Sequence, residues 1–246
     1  MRSALGISLA VAATTAAAPR MAAADCKPPP SELVTQSRTV RGFREIDLGA
    51  PAHLVLKQGA RESMSVRTDR RLLPYLRTQV RGGRLEIELD HREWRRTVHE
   101  DCLHDTVIEI TVPALAGLSV SGAGSAEIPS WTGQRFSLAL SGAGSAVIRR
   151  ASLADLDVGI SGAGTLTAAG QASRQKIDIS GAGNFSGERL AAQSAAVSIS
   201  GTGNAQVNAT KTLDVSISGV GNVAYVGNPR IRQSISGMGS LAQLRR

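Results

Sequence analysis

The tetrad Ser-Gly-x-Gly returns seven times in the second half of the chain, and this regularity limits the possible folds more than any other feature. The spacings between successive tetrads are 20, 20, 19, 20, 18 and 18 residues. The tetrads begin at Ser121, Ser141, Ser161, Ser180, Ser200, Ser218 and Ser236. A repeat of about 19 residues is too short to close its own core, so copies must stack on one another. The sequence therefore predicts a solenoid.

The residues that flank each tetrad indicate which secondary structure is stacked. Val, Leu or Ile stands one residue before each serine and again three residues before it, with one exception at Gln233. This alternation with a period of two is typical of a strand with one buried face. After the tetrad come a polar residue and then a small or apolar one. Each unit is thus predicted to contain a strand, a Gly-rich bend, a second short strand and a polar turn.

The tetrad glycines are interpreted as structural residues at this bend. A tight corner that is repeated in every turn leaves no room for Cβ atoms and often requires a positive φ. Ser and Asn side chains at one position of successive turns are expected to form hydrogen-bonded ladders. The glycines are Gly122, Gly124, Gly142, Gly144, Gly162, Gly164, Gly181, Gly183, Gly201, Gly203, Gly219, Gly221, Gly237 and Gly239.

The first half of the chain is also rich in strand patterns, but it is not repetitive. We expect residues 1–24 to be a signal peptide, 25–39 an extended leader, 40–113 an irregular β part of the solenoid, and 114–246 the repeat β-helix. The irregular part is expected to supply the first turns and to cover one end. Open solenoid ends expose unpaired strand edges and need such a cover.

The ordered combination of these segments resembles a known family, the auto-transporter adhesin head domain or GIN family. The resemblance rests on Phe43-Arg44-Glu45-Ile46, on Leu54-Val55-Leu56-Lys57-Gln58-Gly59, on residues 72–89 with their Gly-Gly turn, and on the serial tetrads. It covers roughly residues 40–243. The resemblance implies an all-β, right-handed parallel β-helix in an exported bacterial protein, with about seven tetrad turns. It transfers no catalytic or binding residue.

The N-terminus predicts export. Arg2 precedes a short apolar run, and Ala22-Ala23-Ala24 fits a cleavage site that leaves Asp25 first, although cleavage after Ala18 is an alternative. Removing residues 1–24 lowers the formal charge from +8 to +6, because Arg2 and Arg20 are lost. The two cysteines, Cys26 and Cys102, read most simply as one disulfide, with lipidation of Cys26 as the alternative. No stretch of the mature chain predicts a transmembrane helix.

One basic and aromatic cluster is a candidate binding site. It consists of Arg92, Trp94, Arg95 and Arg96. Such a group can grip a sulfated or uronic polymer or a phosphate, while export argues against nucleic acid. The alternative is a solvated loop with Trp94 folded onto the end of the solenoid.

Two groups of residues were weighed for chemistry. His99, Cys102, His104 and Asp105 include metal-ligand types, but a solvated loop with a disulfide is the favoured interpretation, since a disulfide would remove the Cys102 thiolate. Asp157 and Asp178 fall near equivalent positions of adjacent turns. Two close carboxyl groups can do acid–base work on a glycoside, although stacked surface acids are the simpler interpretation.

The sequence thus favours an exported, non-enzymatic, adhesin-like protein of the periplasm or cell surface that binds polysaccharide or protein. No metal or cofactor is expected, because no P-loop lysine and no nucleophile elbow accompanies the glycines. A polysaccharide-processing enzyme on the same scaffold and a purely structural assembly role are the alternatives.

Overall fold

The structure, a computed structural model, describes residues 32–90 and 106–244. These residues form a β-solenoid of about six turns, and no helix occurs among them. The fold predicted from the repeat is confirmed. The repeat predicted about seven tetrad turns, and the solenoid has about six turns in total.

The strands are numbered in chain order. They are β1 Leu33–Arg38, β2 Glu45–Leu48, β3 His53–Gln58, β4 Ser63–Asp69, β5 Leu76–Arg81, β6 Arg84–Leu89, β7 Val107–Val112, β8 Gly117–Val120, β9 Ser125–Ile128, β10 Trp131–Leu140, β11 Ser145–Ile160, β12 Thr165–Ile179, β13 Asn184–Ile199, β14 Thr202–Ile217, β15 Val220–Val226, β16 Arg230–Ile235 and β17 Met238–Gln243.

Two parallel ladders run along the solenoid and meet at the tetrad corner. The first ladder stacks β6, β2 and β8, then the C-terminal parts of β10 to β14, and ends on β16. The second ladder stacks β7, β3 and β9, then the N-terminal parts of β11 to β14, then β15 and β17. The long strands β11 to β14 run through both ladders of successive turns. Register shifts between the two ladders mark the third, less regular side.

Each ladder buries alternate residues in continuous columns. In the first ladder one such column is formed by Leu85, Ile46, Leu118, Leu138, Val158, Ile177, Val197 and Val215. All of these side chains are buried. Gln233 continues the column on β16, where it is exposed. The break in the repeat pattern therefore falls on the last turn, where no further turn covers the side chain.

The tetrad corners pack backbone against backbone. Ala163 donates its amide N–H to the carbonyl of Gly142 at 3.1 Å, and Ala182 donates to that of Gly162 at 3.0 Å. A Cβ added to Gly162 would lie closer than 3.0 Å to the carbonyl oxygen of Gly142. None of the tetrad glycines has a positive φ. The expected shortage of room for Cβ atoms is therefore present, whereas the expected positive φ is wrong.

A polar ladder follows the corner on the outer surface. Asn204 donates from Nδ2 to Oδ1 of Asn184 at 3.1 Å, and Asn222 donates in the same way to Asn204 at 3.2 Å. Ser240 closes the series with a hydrogen bond from its hydroxyl to Oδ1 of Asn222 at 2.7 Å. Side-chain ladders were expected at this position, and the structure contains one across four turns.

The two ends of the solenoid differ. At the N-terminal end, β5 pairs antiparallel with β6, while β4 pairs antiparallel with β7 and carries β1 on its other edge. β1 falls within the predicted leader, so this part of the leader is a paired strand. At the C-terminal end, the structure pairs β16 only with β14 and β17 only with β15. The N-terminal end is thus covered by antiparallel strands, whereas the last turn at the other end is not.

Candidate binding face

The outer surface of the first ladder carries the most continuous candidate site in the described part of the chain. Residues that alternate with the buried columns point outward, because successive side chains of a strand point to opposite faces. From β11 to β16 several of these outward residues are small: Gly159, Ala196, Ser198, Ser216 and Ser234. Small side chains on successive turns leave a shallow depression between larger neighbours.

Two adjoining depressions of about 340 and 330 Å³ occupy this surface. They share Lys176, Ala196 and Asp214, so together they form one groove. We call it the central groove; its other lining residues are Arg135, Asp155, Asp157, Arg174, Gln175, Asp178, Ser194, Ala195, Val197, Ser198, Val215, Ser216, Arg232, Gln233 and Ser234. The groove runs across successive turns and thus along the solenoid axis.

Charges of both signs border the central groove. Asp155 accepts hydrogen bonds from Nε and Nη2 of Arg174 at 2.5 and 2.7 Å, while Nη2 of Arg135 lies 3.8 Å away on the other side. The hydrogen bonds from Arg174 are the main reason that the pKa of Asp155 lies below its usual range. A row of three alternating charges therefore crosses three turns, on β10, β11 and β12.

The carboxyl groups of Asp157 and Asp178 do not form the simple pair that the repeat spacing suggested. They lie on adjacent turns, but Asp157 is in register with Lys176, and Asp178 is in register with Gly159. Nζ of Lys176 is 3.0 Å from Oδ2 of Asp178. Asp178, through this hydrogen bond and its charge, raises the pKa of Lys176, and the charge of Asp157 adds to the effect. The ammonium group of Lys176 therefore lies between the two carboxylates and neutralises part of their charge. The three residues are stacked surface charges.

Of the other predicted site residues, the tetrads lie in the described part of the chain and the remaining groups do not. The tetrads form the corners between the two ladders, and no tetrad residue lines the central groove. Four predictions lie outside the described residues: the signal peptide, the cluster of Arg92, Trp94, Arg95 and Arg96, the disulfide between Cys26 and Cys102, and the metal-ligand types His99, Cys102, His104 and Asp105. Within residues 32–90 and 106–244, no three His, Cys, Asp or Glu side chains are grouped as a metal site would require. No helix in the same ranges is long and apolar enough to cross a bilayer.

The sequence reasoning missed the central groove. Its floor comes from the position between the two apolar residues of each first-ladder strand, where Ser198, Ser216 and Ser234 follow one another. In the sequence this position is visible only as the polar member of the alternating pattern. The signal available was the small size of these residues in consecutive units, because only a column of small side chains opens a groove.

The fold and the groove can now be compared with known proteins. The family model described as "Putative auto-transporter adhesin, head GIN domain" matches residues 42–229. The chain belongs to this family. The match includes all strands from β2 to β15, and thus most of both ladders, but it ends before β16. The resemblance stated from the sequence is confirmed.

Several solved structures share the architecture. A protein described as a putative adhesin from Bacteroides fragilis is 25% identical, with a TM-score of 0.80 over 87% of this chain and 99% of the other. A protein described as a putative lipid binding protein from Parabacteroides distasonis is 24% identical, with a TM-score of 0.70 over 87% and 97%. A putative adhesin from the same species is 20% identical, with a TM-score of 0.67 over 87% and 98%. No curated protein matches the chain in sequence. The family description and that of the 25% identical protein suggest an exported protein with a non-enzymatic, adhesin-like role.

Proposed function

We propose that this GIN-family protein is a non-enzymatic envelope protein that binds an extended polymer along the central groove. The observation that carries the proposal is the course of the groove across successive turns, with small residues on its floor and both acids and bases on its borders. An elongated ligand can repeat the same contacts in each turn, since the turns are spaced about 4.8 Å apart. The adhesin-like descriptions of the family and its structural neighbours support the same role.

A polysaccharide of the bacterial envelope is the ligand that we favour. Charged and hydroxyl groups of such a polymer can hydrogen-bond to Lys176, Asp214 and the serines of the floor. The lining contains no aromatic ring, so binding would rest on these polar contacts rather than on stacking. An extended polypeptide is the other polymer of suitable shape, and the same assay includes it.

Binding of the purified protein to an array of envelope polysaccharides and surface proteins, at low and high salt, tests the proposal. We expect selective binding that survives high salt. Loss of all binding in salt would reduce the interaction to attraction by net charge, because screening acts mainly on exposed charges. Absence of binding to every polysaccharide and protein on the array would contradict the proposal.

The groove itself is tested by filling its floor. Ser198→Arg places a long side chain in the central groove and should weaken polymer binding at least tenfold. Thr167→Arg is the matched control, because Thr167 is equally exposed but lies on the outer face of the second ladder. Equal loss of binding in both variants would show that added charge, and not the groove, is responsible.

The enzymatic alternative is tested in the same preparation. Lys176 separates Asp157 from Asp178, so the geometry favours binding over acid–base work. Turnover of an acidic polysaccharide that disappears when Asp157 and Asp178 are replaced by Ala would overturn the non-enzymatic assignment.

A further inference from the structure

The C-terminal end of the solenoid exposes the edges of two strands. β16 uses one edge to pair with β14, and β17 uses one edge to pair with β15; the described residues place no strand on their other edges. Backbone N–H and C=O groups along such an edge can accept another strand. Arg232 of this end also lines the central groove. The proposed contact differs from polymer binding, because it adds a strand along the solenoid axis and not a ligand in the groove.

Apolar side chains are concentrated at the same end. Of the seven large hydrophobic residues exposed in the described part of the chain, four belong to the last turn: Ile231, Ile235, Met238 and Leu244. A fifth, Val220 on β15, is in register with Met238. Met238 has 78% of its surface exposed. Exposed apolar residues that cluster beside an unpaired strand edge are typical of an interaction surface.

The charge of this end is of one sign. Residues 215–244 contain no Asp and no Glu, while β16 exposes Arg230 and Arg232. Within the described residues, no carboxylate lies within 4.0 Å of either guanidinium group. In the register of the first ladder, Arg230 faces Thr212 and Arg232 faces Asp214 on the side already occupied. The open side of both arginines can therefore receive acids.

One pair of neighbouring strands within the solenoid indicates which partner sequence would complement the charges of β16. β12 carries Arg174 and Lys176 at the same columns as Arg230 and Arg232, since the ladder register links them through β13 and β14. The strand beside β12 is β11, which places Asp155 opposite Arg174 and Asp157 opposite Lys176. Arg174 therefore donates two hydrogen bonds to the carboxylate of Asp155. β11 lies on the edge of β12 that corresponds to the β14 edge of β16, and β13 occupies the other edge with Ser194 and Ala196. The pair of β11 and β12 therefore shows that acids at these two columns reach basic residues one strand away.

Among residues 32–90 and 106–244, a second copy of the chain offers no such strand at a free edge. Both edges of the acidic segment of β11 are occupied, one by β10 and the other by β12. The strands at the opposite end, β1 and β5, have the sequences LVTQSR and LRTQVR, which contain no acid.

We propose that β16 and β17 form a docking edge for a strand from a partner protein, and that the segment facing β16 carries acids in the pattern of Asp155-Leu156-Asp157. The partner strand continues the first ladder by one turn. Its two acids meet Arg230 and Arg232, and its apolar residues cover Ile231 and Ile235. Backbone hydrogen bonds supply affinity, and the two charge pairs supply selectivity.

The probe is a fluorescein-labelled peptide with the sequence of residues 153–161, LADLDVGIS, added to the purified full chain and followed by fluorescence anisotropy. We expect saturable binding that falls at least tenfold when both aspartates of the peptide are replaced by Lys. This comparison uses the unaltered protein and does not depend on the folding of a variant. Equal binding of the two peptides, binding of neither, or a peptide-free dimer formed through this end would overturn the proposal.

A second experiment reverses the charge of the two arginines on the protein. The double variant Arg230→Glu, Arg232→Glu should lose the aspartate peptide and bind the lysine peptide instead. Arg150→Glu, Arg189→Glu is the matched control, because these arginines are exposed elsewhere and the net charge changes equally. Equal loss in both variants would overturn the proposal. Lys176→Glu should impair polymer binding in the central groove and leave peptide binding intact, so the two proposals fail separately.

An acidic polysaccharide is the competitor that separates a strand partner from general attraction to anions. The competition uses the Lys176→Glu variant, because Arg232 also lines the central groove. We expect the polysaccharide to displace little peptide, since it cannot form the backbone hydrogen bonds of a strand. Full displacement, together with binding of a peptide of scrambled order, would show an anion site and overturn the proposal.

Discussion

The carbonyl oxygen of Gly142 occupies the space that a Cβ on Gly162 would need. The same carbonyl accepts the amide N–H of Ala163 at 3.1 Å, so the close approach is fixed by a hydrogen bond between turns. Corresponding glycines stack in the same way through the later corners. The corner therefore requires glycine for lack of space and not for an unusual backbone angle.

Gly162→Ala should destabilise the protein by about 1–3 kcal/mol, because the neighbouring backbone cannot move aside without losing its hydrogen bond. Urea denaturation measures this change as a lower midpoint. Gly159→Ala is the control: a Cβ at Gly159 meets no atom within 4 Å, and its φ is not positive. We expect this control to be neutral or more stable by about 0.5–1 kcal/mol. Similar losses in both variants would contradict the steric explanation.

Asn204→Ala should interrupt the polar ladder at its centre, since Asn204 donates to Asn184 and accepts from Asn222. Because the ladder is exposed and water replaces part of it, we expect a loss of about 0.5–1.5 kcal/mol in the free energy of unfolding. The exposed Asn228, for which the structure shows no side-chain hydrogen bond, provides the control Asn228→Ala. An unchanged urea midpoint for Asn204→Ala would show that the ladder contributes nothing to stability.

The pair of Asp155 and Arg174 predicts a dependence of stability on pH. The pKa of Asp155 is lowered in the folded protein, mainly by the hydrogen bonds from Arg174. The stability from this pair is therefore complete above the unfolded pKa of about 4 and is lost as pH falls through the lowered folded pKa. Urea midpoints between pH 7 and 2 should fall less steeply for Asp155→Asn than for the unaltered protein. Identical slopes below pH 4 would rule out this contribution.

Phe136→Ala should remove one of the largest buried contacts of the core. The ring of Phe136 lies 5.4 Å from that of Trp131 between centroids, at an interplanar angle of 40°, and both side chains are buried. Truncating a buried aromatic ring costs about 3–5 kcal/mol. Leu33→Ala, at a residue with 42% of its surface exposed, is the control and should change the urea midpoint little. A small effect of Phe136→Ala would mean that the core collapses to fill the space.

Trp131 also gives a direct readout of this core. In a Trp94→Phe background Trp131 is the remaining tryptophan, and its buried position predicts blue-shifted emission in the folded protein. Unfolding in urea should shift the emission to longer wavelength. Emission typical of an exposed ring before urea is added would contradict the burial of Trp131.

The Asp157 and Asp178 pair shows where sequence reasoning reached its limit. Counting from the tetrads placed both acids on adjacent turns, which is correct. The count did not show that Lys176 stands in register with Asp157 and contacts Asp178. Spacing along the chain determines on which turn of the solenoid a residue lies. It does not determine which long side chains contact each other between turns.

The sequence by itself determined the repeated strand, the corner and the stacking. Alternation and tetrad spacing are local properties, and each repeat contains them. Only the tertiary structure decided where β2 and β3 enter the ladders, since β2 lies between β6 and β8, and β3 between β7 and β9, out of chain order. It also decided the central groove and the exposed edge of β16, because both arise when residues far apart in the chain are brought into register. Hydrogen bonds between turns set that register, and no single repeat contains them.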